Sequence, residues 1–481
     1  MRRFHPRSFI RTILVSGLIS SFPQSQSYSA ERPKSEVPMT RVEELLAVHD
    51  NMGSKASFVE LDPGRILMSE GSRFRTSNDG GLTWSAPWEG RDPDGKRVAQ
   101  GESSLVKLSG GAIGLATRYW FEGEPGKSSG SLAFFRSDDG GKSWSKPLRV
   151  SPPVPFTVAM LHDTVIRTSS GRIIFPVYTA LKYSGAEGMK HSLSYYRPLT
   201  KLIDNQVVRT AGHFADPSFG WCYVYYSDDD GKTWQTNRGG QLYIFNDGAE
   251  KGWFPTYEPS VAEVEPGKLL MLVRTPNLGR LFKTWSFDNG ETWTALVPTQ
   301  LATATSPCQI RTIAATGDLL VVWTQISHEE MRKGLTSVRL SSAVSRTKGS
   351  VWEFYQNIES SVEGSFVEPG PIRLSLPEGS SALDPVGAAS ERDPLYVVNN
   401  HLPAPYGEFS YPSVFVAGDK VIISYRFQSV AGDPAKIGRS GLISTGGRLK
   451  VLPLSWFYAG RENMKAVPHL KYLSNLENSR P

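Results

Sequence analysis

The stretch SDDGGKSW, residues 137–144, recurs along this chain and decides its fold. The other copies are SNDGGLTW at 77–84, SDDDGKTW at 227–234 and SFDNGETW at 286–293, and all fit S-x-D-x-G-x-[ST]-W. In such a segment Ser and Asp side chains can bond nearby backbone amides, glycine permits a positive φ, and tryptophan buries a large apolar surface. The pattern predicts a recurring hairpin turn, and GSVWEF at 349–354 keeps its Gly and Trp without the Asp.

A second repeat lies between these turns and consists of an apolar strand, a glycine-containing turn and another apolar strand. Six segments follow it, and they begin at Lys55, Glu102, His162, Glu258, Ser306 and Tyr411. Units of four short strands at regular spacing are typical of β-propeller blades. We therefore expect an all-β fold, a six-bladed β-propeller over about residues 45–445.

A region rich in Pro, Ser and Gly at about 355–408 is expected to be an insertion carrying the outer part of blade five. The tail, 446–481, is expected to close the ring or pack beneath it, with a separate small domain as the alternative.

Composition narrows the class of protein. The chain carries 53 Lys and Arg against 47 Asp and Glu, a net charge of +6, without a basic stripe that would favour a nucleic-acid partner. The two cysteines, Cys222 and Cys308, are expected to be buried thiols, and no spacing indicates a metal site or another cofactor. We expect a monomer.

The N-terminus has the features of a secretory signal. Four arginines precede a short apolar stretch, and small residues suited to cleavage follow near residue 30. This pattern predicts a signal peptide over 1–30 and a secreted or periplasmic protein. No later segment has the roughly 20 consecutive apolar residues that a membrane-spanning helix needs.

The starts of the inner strands should open onto one face of the ring, where propellers usually bind ligands. The six residues aligned there differ in type, yet all can exchange protons or hydrogen bonds, which favours a functional site over a purely structural repeat. Matched positions near the ends of the second strands hold three arginines and a tyrosine, Arg118, Arg274, Arg426 and Tyr178.

The four turn segments resemble the Asp-box, or BNR repeat, of the sialidase (neuraminidase) superfamily. EPSVAEVEPGKLLMLVR from Glu258 and SYPSVFVAGDKVIISYR around Tyr411 resemble segments that carry site residues in that family. The resemblance implies Tyr411 as nucleophile, Glu258 as its base and Arg274 as one of three arginines that hold a substrate carboxylate. Arg332 stands where another of these arginines usually lies. It thus implies a retaining exo-glycosidase that acts on a terminal sialic acid or a related carboxylated sugar of a glycan.

The chain also departs from that family pattern. Lys55 stands in place of the first arginine, and a lysine offers a point charge rather than a two-pronged grip, so Arg118 or Arg73 becomes a possible substitute. The usual acid/base aspartate after the first hairpin is missing, which leaves Asp163 or His162 as replacement. Asp163 as a simple hydrogen-bonding residue and His162 as a core histidine are the alternatives. Further substrate contacts are expected from Glu102 and Arg426.

Two other functions are compatible with these residues. A lyase acting on a uronate-containing polysaccharide could use His162 and Tyr411 to move protons and the cationic side chains to neutralise the uronate. A non-catalytic glycan-binding propeller would use the same central residues only for hydrogen bonding.

Overall fold

The expected six-bladed propeller is confirmed in a computed structural model of the chain. The structure describes residues 45–121, 131–152, 157–181, 200–203, 206–209, 219–240, 242–246, 252–254, 256–275, 278–303, 306–327, 330, 337–370, 397–398, 407–429 and 443–458. The predicted signal peptide lies outside these residues. Within them, no helix is both long and apolar enough to cross a bilayer.

Blades one, two, four and five are antiparallel sheets whose four strands run from the ring's axis to its rim in chain order. Blade one consists of Ser57–Asp62, Arg65–Glu70, Arg73–Ser77 and Trp88–Glu89. Blade two consists of Ser103–Lys107, Ile113–Tyr119, Ser131–Ser137 and Leu148–Arg149. Blade four consists of Tyr257–Glu265, Lys268–Arg274, Arg280–Ser286 and Val297–Ala302, and blade five of Cys308–Thr312, Leu319–Thr324, Arg339–Ser345 and Glu353–Ser360.

Blade three differs because its inner strand is broken. Two short pieces, Thr157–Ala159 and Ile166–Arg167, both pair with the second strand, Ile173–Leu181. The blade is completed by Phe219–Ser227 and Gln235–Thr236. The residues between the two pieces, which include His162 and Asp163, are thereby freed from the ladder and can take another backbone conformation.

Blade six closes the ring with a strand from the other end of the sequence. Its first three strands are Gly407–Ala417, Lys420–Ser429 and Ile443–Pro453, and its outer strand is the N-terminal Ala47–Asp50. The third strand crosses the boundary expected at residue 445, so the propeller extends to at least Pro453. A 3₁₀ turn, Leu454–Tyr458, follows it and buries three aromatic side chains against blades five and six.

Two insertions on the face where the inner strands start share a small sheet. Thr200–Ile203 and Gln206–Arg209, between the second and third strands of blade three, pair with Val397–Val398, which precedes blade six. The outer strand of blade five begins at Glu353, just before the insertion expected from residue 355, and ends at Ser360. A hairpin of Ile244–Asn246 and Gly252–Phe254 lies between blades three and four, and a 3₁₀ turn at Ser109–Gly111 connects the first strands of blade two.

The hydrophobic core lies between the blades rather than within them. Six clusters of buried side chains occur in the described residues, one at each junction of neighbouring blades. Val, Ile, Leu and aromatic residues alternate along the strands so that both faces of every sheet are covered. Burial of this apolar surface is the main force that holds the ring together.

The S-x-D-x-G-x-[ST]-W segments form the expected turns between third and outer strands. In blade four, Asp288 Oδ1 accepts hydrogen bonds from Ser286 Oγ and Thr292 N, each at 2.8 Å, and Gly290 N donates to Ser286 Oγ at 2.8 Å. Burial alone would raise the pKa of Asp288, but these hydrogen bonds together lower it. In blade five, Thr347 Oγ1 replaces the aspartate and accepts from Val351 N at 2.8 Å.

The glycine of each turn packs against the preceding blade. Gly290 has φ +90°, and a Cβ built there would lie 2.8 Å from Ile174 Cδ1 of blade three. A Cβ built at Gly141 of blade two would likewise lie too close to Leu67 of blade one. A Cβ at Gly81 of blade one would lie too close to Ile422 of blade six. The repeated motif therefore fixes both a turn and the spacing between blades.

We expect Gly290→Ala to destabilise the propeller more than Gly267→Ala does. Both positions have positive φ, but a Cβ at Gly267 would meet nothing within 4 Å. The left-handed backbone costs a non-glycine residue about 1–2 kcal/mol, and forced overpacking adds roughly 1–3 kcal/mol at Gly290 only. Urea midpoints followed by tryptophan fluorescence measure the difference, and equal midpoints for the two variants would contradict it.

Candidate functional site

The inner strands of blades four and six carry Glu258 and Tyr411 on backbone bulges. The strand register shifts between Tyr257 and Ser260, and again between Ser410 and Ser413. Glu258 and Tyr411 have φ of 47° and 56°, a left-handed conformation that is costly for side chains of this size. The following residues are prolines, which suit a bulge because they have no N–H to pair. The bulges thus turn both side chains toward each other at the start of the strands.

The centre of the site is a contact among Tyr411, Glu258 and Arg274. Tyr411 Oη donates to Glu258 Oε1 at 3.3 Å. Arg274 Nη1 donates to the other carboxylate oxygen of Glu258, and only 4% of the Arg274 side chain and 6% of the Glu258 side chain are exposed. Removing one partner from such a buried ion pair typically costs 3–5 kcal/mol. The carboxylate is therefore held firmly beside the phenol.

Tyr411 is a neutral phenol in this arrangement. The charge of Glu258, followed by burial, raises its pKa to about 12, while the guanidinium of Arg274 acts in the opposite direction. The Tyr411 hydroxyl can lose its proton only as another group takes it, and Glu258 is the acceptor already in contact. A phenol paired with a carboxylate in this way is suited to act as a nucleophile.

A second cluster of charged side chains, contributed by blades one and two, lines the same pocket. Lys55 Nζ donates to Glu102 Oε1 at 2.7 Å and lies 5.2 Å from the ring centroid of Tyr411. Arg118 Nη1 lies 4.0 Å from Glu102 Oε2. Burial alone would raise the pKa of Glu102, but Lys55 and Arg118 lower it. Glu102 is therefore an ionised carboxylate between two cations.

Of the remaining predicted substrate contacts, Arg426 lies on the second strand of blade six. Arg426 pairs with Ser410 across the strand ladder as Arg274 pairs with Tyr257, so the two arginines hold equivalent blade positions. Arg332 lies outside the described residues. Tyr178 of blade three, by contrast, joins the site: burial and the charges of Glu258 and Glu102 raise its pKa well above the usual value.

His162 lies beside the site but does not open onto it. Its ring is 0% exposed, its centroid is 6.2 Å from that of Tyr411, and neither ring nitrogen has a hydrogen-bond partner within the described residues. Burial, with Lys55 nearby, lowers its pKa to about 3. A neutral, fully buried imidazole cannot donate a proton to a leaving group, which argues against the acid role expected for His162.

Asp163 does not face Tyr411 and Glu258, contrary to the expected acid role. Its side chain lies at the axis of the ring, where Oδ1 accepts from Ser57 Oγ at 2.8 Å and Oδ2 accepts from Arg311 Nη2 at 2.7 Å. The backbone amides of Phe58 and Val414 also donate to it, at 3.3 and 3.4 Å. Burial raises the pKa of Asp163, and these donors act in the opposite direction. Both oxygens are engaged by protein donors, which favours the alternative of a hydrogen-bonding residue for Asp163.

A cavity of about 600 Å³ lies below this pair, at the opposite end of the channel from Tyr411. The inner strands of blades one, two, three, five and six line it. Its polar side chains are engaged with the protein: Lys107 Nζ donates to Glu60 O at 2.9 Å, and Arg167 Nη2 donates to Ser109 Oγ at 2.6 Å. The Tyr411 face is therefore the better candidate for a functional site. Among the residues described, no group of three or more His, Cys, Asp or Glu is placed to hold a metal ion.

Sequence reasoning did not predict Arg311 or Gln309 of blade five. It also did not predict the serines that lie two positions after the first residue of a strand–turn–strand repeat. Ser57, Ser104 and Ser260 each accept a hydrogen bond from the inner strand of a neighbouring blade, with donors Leu105 N, Val165 N and Ile310 N at 2.8–3.1 Å. A Ser recurs at this position in four of the six sequence repeats, also as Ser413, and this signal was available.

The fold and the Tyr–Glu–Arg constellation define a sialidase-superfamily β-propeller, the class that the Asp-box segments indicated. Residues 74–423 match the family described as BNR repeat-like domain. The chain belongs to that family.

The individual proteins that resemble this chain share little sequence identity with it. A sialidase of Bacteroides fragilis (strain YCH46) is 26% identical over 204 residues, which span 41% of this chain and 29% of that protein. The Hadza microbial sialidase Hz136 superimposes with a TM-score of 0.50 at 15% identity, over 86% of this chain and 67% of the other. A protein of unknown function from Dyadobacter fermentans DSM 18053 has a TM-score of 0.49 at 15% identity, over 85% and 97%. The structural likeness concerns the fold alone.

We expect His162 to make the protein sensitive to acid. The unfolded chain binds a proton at His162 below pH 6.5, whereas the folded chain does so only near pH 3, so acid favours unfolding. Stability should fall by up to about 1.4 kcal/mol per pH unit between these values. His162→Gln should flatten this part of a plot of unfolding free energy against pH, and His49→Gln on the outer strand of blade six is the matched control. An unchanged slope in His162→Gln would contradict the buried neutral imidazole.

Proposed function

We propose that this protein is a retaining exo-glycosidase that releases a terminal sialic acid or a related carboxylated sugar from a glycan. The observation that carries the proposal is the hydrogen bond from Tyr411 Oη to Glu258, which is itself paired with Arg274. The family match and the sialidase among its relatives support the same class of reaction.

The reaction would proceed by two displacements at the anomeric carbon. Tyr411 Oη attacks that carbon, Glu258 accepts the phenol proton, and the glycosidic C–O bond breaks as the leaving oxygen departs. Water then attacks the same carbon, the bond to Tyr411 breaks, the phenolate recovers its proton from Glu258, and the proton that the water loses neutralises the departed oxygen anion. Two inversions restore the original configuration.

A phenol suits a substrate whose anomeric carbon bears a carboxylate. A carboxylate nucleophile would repel such a sugar, whereas neutral Tyr411 does not. Cations beside the phenol, Arg274, Lys55 and Arg118, outnumber the two carboxylates of Glu258 and Glu102, so the described part of the pocket favours an anion. The substrate is therefore proposed to be acidic.

The site is poorly equipped to protonate the leaving oxygen. Asp163 and His162 are both withdrawn from the pocket, and Lys55 and Arg118 keep Glu102 ionised. Leaving groups that depart as stable anions, such as aryl oxides, need the least help from an acid. We therefore propose faster turnover of aryl than of alkyl glycosides.

Elimination on a uronate chain is less well supported by the same geometry. It would require His162 to reach the substrate, and the His162 ring is fully buried. Extracellular glycans are the proposed targets because residues 1–30 have the features of a secretory signal.

We expect Tyr411→Phe to abolish turnover of a fluorogenic aryl sialoside. Loss of a nucleophile should lower kcat/KM by at least about a thousandfold, because binding and electrostatics alone then remain. Fluorescence release measures the rate, and the configuration of the first-formed sugar, read by proton NMR, tests retention.

Tyr226→Phe is the matched control for that measurement. It removes a phenol hydroxyl on the third strand of blade three that donates to Gln235 Oε1 on the outer strand at 3.4 Å. The proposal fails if Tyr411→Phe retains the wild-type rate. Glycan binding by a wild-type protein that shows no turnover would instead favour a binding propeller.

We expect Lys55→Arg to lower KM for an acidic sugar by roughly 3- to 10-fold with little change in kcat. The guanidinium can donate two parallel hydrogen bonds to a carboxylate, which an ammonium cannot. Lys268→Arg, at the far end of blade four, is the control for the same exchange. A KM that does not fall would place the substrate carboxylate away from Lys55.

A further inference from the structure

The starts of the inner strands are tied together by a polar network just below the site. Its centre is Asp163, whose two carboxylate oxygens receive donors from blades one, five and six. The side chain is 3% exposed, and Asp163 adopts a left-handed φ of 56° at the break in the inner strand of blade three. The Asp163 side chain therefore contacts three blades besides its own, and its backbone N–H donates to Ser103 O of blade two at 3.1 Å.

The contacts of Asp163 to blades one and six lie two or three residues from a group at the site. Ser57 and Phe58 follow Lys55, and Val414 follows Tyr411. The carboxylate thus fixes the inner strands of blades one and six relative to each other, directly beneath the side chains those strands present.

Arg311 extends the network to the strand that carries Glu258. Arg311 Nη2 donates to Asp163 Oδ2 at 2.7 Å, and Arg311 Nη1 donates to Gln309 Oε1 at 3.1 Å. The same Gln309 oxygen accepts from Ser260 Oγ at 3.1 Å, two residues after Glu258. Gln309 Nε2 completes the path by donating to His162 O at 2.8 Å.

We propose that Asp163 is a positioning residue, which sets the separation of Tyr411 and Glu258 through Val414 on one side and through Arg311, Gln309 and Ser260 on the other. This inference rests on the proposed function for its kinetic consequence but not for its structural one. The two bulged strands belong to blades four and six, which share no ladder hydrogen bonds in the part of the chain that the structure describes, so we assign their fine spacing to the link through the axis.

The hydrogen bonds around Asp163 depend on the negative charge of its carboxylate as well as on its shape. An asparagine at position 163 would retain one acceptor oxygen, leave the Arg311 guanidinium without its anion, and point an NH₂ group at backbone N–H donors. The strands of blades one, five and six would have to separate to relieve these contacts. Tyr411 and Glu258 would move with them.

The test compares Asp163→Asn with Glu353→Gln in the full chain. Glu353 forms a similarly enclosed pair with Arg346 in blade five, at 2.8 and 2.9 Å, far from the axis. Both variants should lower the Tm. Only Asp163→Asn should lower kcat on the aryl sialoside, by about 10- to 100-fold, with KM changed less, because a small displacement of reacting groups has that effect.

A spectroscopic readout does not depend on turnover. In protein labelled with ¹³C at tyrosine Cζ, the Tyr411 signal is the one missing from Tyr411→Phe, and its position reports the hydrogen bond to Glu258. We expect Asp163→Asn to displace that signal and Glu353→Gln to leave it in place. An unmoved signal, or a fall in kcat no larger than that of Glu353→Gln, would overturn the inference.

Two further outcomes remain decisive. If the wild-type protein turns over no acidic glycoside, the proposed function fails, and the NMR signal alone decides the role of Asp163. If Asp163→Asn does not fold, Ser57→Ala keeps the Asp163–Arg311 pair and removes one donor. It should displace the Tyr411 signal in the same direction by a smaller amount.

Discussion

A buried carboxylate at the axis of the ring is the interaction on which the arrangement of this propeller depends. A charge withdrawn from water must be met by donors, and the donors of Asp163 come from three other blades. The inner strands can therefore adopt only positions that keep those donors in reach. Apolar packing between blades supplies most of the stability, but it is tolerant of small shifts, whereas hydrogen bonds to one small anion are not.

The face above this network places acids and bases in alternation. Glu258 is flanked by Tyr411 and Arg274, and Glu102 by Lys55 and Arg118. The charge of Glu258, together with burial, keeps the Tyr411 phenol protonated, and the guanidinium of Arg274 acts in the opposite direction on its pKa. Left-handed backbone at Glu258 and Tyr411 stores strain at the same points, which is common where side chains are held for function.

The sequence was most informative where a residue's type and its spacing both have a physical cause. The four Asp-box turns predicted the blade architecture because Ser, Asp, Gly and Trp each have one task in that turn, and the six strand–turn–strand segments gave the number of blades. Glu258, Tyr411 and Arg274 were predicted from family segments, and the structure brings them together.

The surroundings of Asp163 were not predicted, because the inner strand of blade three is broken. That break moves the left-handed position from the aligned His162 to its neighbour, which no spacing reveals. The closing strand, Ala47–Asp50, was missed because four half-exposed residues carry almost no strand signal.

The packing of each Asp-box glycine on the blade before it has a consequence for the order of assembly during synthesis. Gly141, Gly290 and Gly349 dock on side chains of Leu67, Ile174 and Leu270, which the ribosome has already released. Blades two to five can therefore add one after another as the chain emerges. Gly81 alone of the boxed glycines named here faces a residue that does not yet exist, Ile422, and the edge strand at Ala47–Asp50 waits for Ile443–Pro453. Blade one is thus translated first but packs against blade six last, and the strand Ala47–Asp50 ahead of it is the unpaired edge that a nascent chain most needs to keep from other strands.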